Sequence, residues 1–216
     1  MKKLLIIVSS ILFVAISTAH AGMAVGISGA MHSFDGDGTE TTRQSGQINN
    51  GSFSEDVAVP EVFVEAIADS GFAIGISYIP TRELGSKTRS DSNSEGDTGD
   101  YLAKAELKNV VQFYTDIPTG SIGSFPIHTK LGIQHVTVNT QESLNSGSEY
   151  PNVDLMGFTI GLGTKGDIPY GNNLFYKAEA TYTNFETYEA TASGAGNKVV
   201  ADLEDVAAKL SIGYQF

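Results

Sequence analysis

Acidic and basic residues recur at every second position in several stretches of this chain. Glu61 and Glu65 share one phase, as do Lys104, Glu106 and Lys108, and Lys177 and Glu179; Lys130, Asp205 and Lys209 occupy the same phase of their own stretches. A period of two puts such residues on one face of an extended strand. That face is otherwise glycine, alanine, serine and threonine, and its five lysines and five acids sum to zero charge. Isolated charges are costly to bury, so a balanced set on one face predicts ion pairs bridging a narrow interior. Register counted from the short turns sets Glu106 diagonally across from Lys130, and Glu179 from Lys209.

Groups for covalent chemistry are few. There is no cysteine, hence no thiol nucleophile, thiolate metal site or disulfide. Past residue 21 the histidines are His32, His128 and His135. His32 adjoins Ser33, but acyl transfer needs a nucleophile, an orienting base and an oxyanion donor in one pocket, and no such trio is assembled by spacing. The Asp35-Gly36-Asp37-Gly38 stretch lacks the further oxygens and closing glutamate of a calcium loop. The chain reads as non-enzymatic, without catalytic residues, metal site or cofactor.

The elements that must carry these residues alternate throughout. Residues 1–21 are set apart: Lys2 and Lys3, the apolar run Leu4 to Ile16, and small residues at Ala19 and Ala21 make a cleavable export signal. Without Lys2 and Lys3, 11 of the 13 basic residues face 25 acidic ones, a formal charge of −14 that argues against nucleic acid as a partner. From Gly22 onward, eight segments alternate apolar and small or polar residues, separated by stretches rich in Gly, Ser, Asn, Asp and Pro. They lie near 22–33, 57–68, 71–80, 101–114, 124–138, 154–165, 174–186 and 205–216, with Phe63 breaking the pattern of the second. Connections alternate short and long. The short ones follow the second, fourth and sixth segments; the long, very polar ones are 34–56, 81–100, 139–153 and 187–202. This is a meander of antiparallel hairpins with two unlike ends.

Three features turn the apolar face outward. The polar face is small and sparsely charged, as a narrow interior requires. Aromatics gather at the segment ends of the apolar face: Phe72, Phe113, Phe125, Tyr176, Tyr214 and Phe216 toward the short turns, and Tyr78, Tyr101 and Tyr182 toward the long loops. The segments are also long enough to cross hydrocarbon when tilted. The predicted fold class is all-β, an eight-stranded antiparallel up-and-down transmembrane β-barrel over residues 22–216. It must close first strand to last, since an open edge in lipid leaves backbone groups unpaired.

The terminal strand, ending Ser211-Ile212-Gly213-Tyr214-Gln215-Phe216, resembles the closing strand of bacterial outer-membrane barrels. With the export signal, the meander and the turn asymmetry, the mature chain resembles the group of the outer membrane protein A membrane domain, outer membrane protein X and the opacity adhesins. That resemblance implies residence in the outer membrane of a Gram-negative-type bacterium, with both termini periplasmic. It implies contact with outer-membrane lipids and lipopolysaccharide. It also makes Tyr214 and Phe216 the signal read by the outer-membrane assembly machinery. The expected function is a structural or surface-interaction role, adhesion or recognition of an extracellular ligand through four polar loops. The alternative is a narrow porin for small solutes.

Overall fold

The computed structural model describes residues 22–91, 99–143, 149–194 and 196–216. The expected export signal at 1–21 lies outside them, as do the middle of the second long connection and the side chain of Tyr101. The elements are β1 (Gly22–Thr41), β2 (Ile48–Ile67), β3 (Ala73–Ile79), β4 (Arg82–Asp91), β5 (Gly99–Ile122), β6 (Phe125–Ser143), β7 (Val153–Asp167), β8 (Leu174–Phe185), β9 (Tyr188–Thr191) and β10 (Lys198–Gln215). Each pairs antiparallel with its neighbour, and β1 pairs with β10 from Ala24↔Gln215 to Thr41↔Lys198, closing the ring. β3 and β4 are two parts of the third stave, and β8 and β9 two parts of the seventh, so the wall has the eight staves expected.

Both described ends of the chain lie beside the short turns. Gly22 stands opposite Ile67, the Phe216 amide donates to the Met23 carbonyl at 2.8 Å, and the Gln215 amide donates to the Asn173 carbonyl at 2.9 Å. At the other end the described parts of the first, second and fourth long connections prove to be mostly strand. β1 and β2 stay paired out to Thr41↔Ile48, and β5 and β6 out to Leu102↔Ser143. Three of the four polar stretches read as loops are tall hairpins, whereas the ladder of β6 with β7 stops at Val138↔Val153.

The outer wall is apolar in a band. Ile27, Val62, Ile76, Phe158, Ile160, Leu162, Leu210 and Ile212 all stand exposed on it. Phe125, Tyr214 and Phe216 rim the short-turn edge, and Tyr78 and Tyr182 the other, as two girdles do in bilayer-spanning barrels. Two irregularities interrupt the wall. In β5 a bulge between Lys108 and Val111 holds Asn109 at φ 54°, a left-handed conformation that asparagine tolerates better than most residues. Between β2 and β3 the ladder ends at Val62↔Tyr78. Its next steps would set Pro60 against Pro80, neither of which has an N–H to give. Beyond that point β4 pairs with β5 alone, which leaves a seam beside the upper part of β2.

Candidate functional site: the closed lumen

Inward residues fill the barrel in layers. At the short-turn end Ala24, Phe63, Ile67, Ala73 and Phe175 form an apolar floor. Phe63 thus breaks the apolar phase of its strand because it faces the interior. The rings fit because each stands opposite a glycine in the neighbouring strand. Phe63 faces Gly26, Phe175 faces Gly213 and Tyr114 faces Gly75, each ring occupying the place a Cβ would take. The glycines of the polar face are therefore seats for aromatics, which a reading of each strand by itself does not show.

Above the floor lies a buried charged layer. The Lys177 ammonium donates to Glu65 at 3.1 Å and to Asp116, and lies 3.6 Å from Glu179. Lys130 bridges Asp116 at 2.9 Å and Glu179 at 3.0 Å, with its ammonium 3.4 Å from the centre of the Tyr114 ring. Lys165 reaches Glu65 at 2.9 Å from the lower rim, and the Tyr114 hydroxyl donates to the same carboxylate at 3.1 Å. The Lys209 ammonium donates to Glu61 at 2.8 Å. Higher still, Asp205 accepts from His32 Nδ1 at 2.9 Å, while Arg82 lies over the Phe34 ring. An apolar cap closes the top, built from Phe34, Ile79, Leu107, Val110, Val136 and Phe185 among others.

Of the charged residues expected inside, the structure brings Glu61, Glu65, Lys130, Lys177, Glu179, Asp205 and Lys209 into the lumen. Lys104, Glu106 and Lys108 are a correction: they stand on the outer wall above the apolar band. The bulge at Asn109 inverts the alternation of β5, so Leu107 points inward and the three charged residues outward. The expected link of Glu106 to Lys130 is absent accordingly. Glu106 binds Lys104 at 3.0 Å and Lys108 at 3.1 Å, and accepts from Asn139 at 3.2 Å. Lys209 does lie directly opposite Glu179 in the ladder, yet its ammonium turns to Glu61. Asp116, Lys165 and Arg82 take the vacated places in the balance, giving five cations and five anions. Asp116 and Lys165 sit beside turn-like sequence, where their only signal was continued parity with the strand; Arg82 lies in a stretch read as loop, out of phase with the inward Ala73, Gly75, Ser77 and Ile79.

On the outer wall, the hydrogen bonds from Lys104 and Lys108 push the Glu106 carboxyl down to about 2 from 4.5. A carboxyl lowered in the folded state adds stability that is complete above its unfolded value and disappears as pH falls from about 4.5 toward 2. Solvent and salt keep this contribution small. A 13C titration of the Glu106 carboxyl is expected to show a midpoint near 2; a midpoint at the ordinary glutamate value would remove the triad as a persistent contact.

Other groupings carry less. Asp116, His128 and Glu179 bring potential ligand atoms within 4.8 Å of one another, but Lys130 and Lys177 already neutralise both carboxylates. Ser33, adjacent to His32, points to the opposite face of β1, and the inward Ser28 is bonded to Ser211 at 2.8 Å.

Closed ring, outward apolar band, aromatic rims and charged interior together define the fold of a small outer-membrane β-barrel. No protein-family model matches the chain, and no curated protein matches it. Solved structures do. The outer membrane protein OprG of Pseudomonas aeruginosa superposes with a TM-score of 0.63 at 14% identity, over 92% of this chain and 98% of that one. The outer membrane protein AlkL gives 0.56 at 12%, over 93% and 92%. The outer membrane protease OmpT of Escherichia coli gives 0.52 at 8%, over 93% and 99%. At these identities the likeness is one of fold.

Proposed function

We propose that the chain is a non-enzymatic outer-membrane barrel that acts through its outer hairpins rather than through its lumen. The observation that carries this reading is the layered interior, in which a charged layer no more than 9% exposed, apart from Lys165, lies between an apolar floor and an apolar cap. A porin needs a continuous wet path, and eight staves enclose only enough room for their own side chains. The tall hairpins are strongly acidic on their outer faces, where Asp35 stands opposite Glu204 and Asp37 opposite Asp202. Such a surface suits recognition of cationic or polar partners beyond the membrane. In this reading both termini are periplasmic, the leader 1–21 is removed on export, and Tyr214 and Phe216 present the assembly signal. The lipids and lipopolysaccharide of the outer membrane surround the apolar band.

Planar-bilayer recording on the refolded protein tests the closed lumen. The expected record is flat, without unitary steps. Reproducible steps that disappear when the protein is omitted would favour the narrow porin.

A further inference from the structure

Four of the five lumen cations are lysines bound to carboxylates. The fifth, Arg82, is not. It is 3% exposed, its Nε, Nη1 and Nη2 atoms have no hydrogen-bond partner, and its Cζ lies 4.7 Å from the centre of the Phe34 ring. The nearest acids are committed elsewhere, Asp205 to His32 and Glu61 to Lys209. His32 is 1% exposed and stacks on the same Phe34 ring at 5.6 Å, and its Nε2 is also unpartnered. Two buried polar edges, one of them a guanidinium fork, thus lie within 6 Å of the centre of one ring, between the ion-paired layer and the apolar cap.

The Arg82 guanidinium hydrogen-bonds to neither Asp205 nor Glu61, the acids whose charges act on it, and donors left unmade in an interior are costly. Planar oxyanions match the fork with two parallel hydrogen bonds. We propose that Arg82 and His32 form a binding site for a small planar oxyanion of the carboxylate class. Arg82 supplies the fork, and His32, oriented by Asp205 on Nδ1, supplies the Nε2 edge, a further donor when protonated. Arg82 is the first residue of β4, directly beyond the Pro60 and Pro80 break, so the seam in the wall lies next to the site. Binding here does not open a pore, because the charged layer below remains paired.

The test is a formate titration of the refolded, 15N-labelled barrel in detergent micelles, with chloride substituted for formate in a parallel arm at constant ionic strength. The Arg82 Nε–H and His32 imidazole resonances are expected to move saturably with formate and not with chloride. In Arg82→Gln the His32 response is expected to be lost while the amide spectrum stays folded; should that variant not fold, Arg82→Lys keeps the charge without the fork and is expected to bind formate more weakly. Absence of a saturable shift at Arg82, an equal response to chloride, a scalar coupling showing Arg82 bound to Asp205, or an undiminished His32 response in either variant would each overturn the site.

Discussion

Replacing Lys177 with methionine is expected to lower the stability of the refolded barrel by about 3–5 kcal/mol, the cost typical of removing one partner from a buried ionic cluster. Lys177 touches Glu65, Asp116 and Glu179, and none of these has water to fall back on. The loss therefore exceeds that of one hydrogen bond, since carboxylates are left facing one another in a space of low polarity. Glu179→Ala is expected to act in the same direction by taking from Lys130 one of its two carboxylates and from His128 its hydrogen-bond partner. Glu106→Ala, which the bare sequence ranks beside it, is expected to cost no more than about 1 kcal/mol, because its partners sit on the outer wall in contact with solvent. Urea titrations of the three variants in one detergent decide the matter. Equal losses for Glu179→Ala and Glu106→Ala would show that the charged layer is not the desolvated cluster described above.

Leu210→Arg is the second large effect. Leu210 is 71% exposed on the outer face of β10, about midway between the Tyr214 rim and the level of Tyr182. In a bilayer an arginine there faces acyl chains, at a cost of about 2–4 kcal/mol near the midplane. On a barrel surrounded by water the same change would stay within about 0.5 kcal/mol. Equilibrium unfolding in phospholipid vesicles reads the difference directly. A variant as stable as the parent would place the apolar band against water and remove the membrane reading.

The wall was legible in the sequence because lipid imposes a strict period of two. The outward positions of Ile27, Ile160, Leu162, Leu210 and Ile212 follow from alternation once the small, sparsely charged face is assigned to the interior. The interior was legible only in part. A bulge adds one residue and leaves the alternation regular on either side, so Lys104, Glu106 and Lys108 kept a convincing pattern on the wrong face. The available signal was the adjacent pair Val110 and Val111 after an asparagine, where two apolar residues in succession mark a change of phase. Arg82 was hidden differently, in a polar stretch next to prolines that looked like loop. Which lysine meets which carboxylate depends on strand stagger and side-chain reach, as the turn of Lys209 away from Glu179 shows; neither is written in a one-dimensional pattern.

The seating of rings over glycines also bears on how such a wall could assemble correctly. Backbone hydrogen bonds cannot tell a proper alignment from one slid by two residues, because both offer the same donors and acceptors with every side chain on its proper side. A slide would drive the Phe63 ring away from Gly26 and into a neighbour carrying a side chain. Paired bulk and emptiness thus act as a key cut into each joint, so misaligned closures are rejected by shape before the ring is sealed.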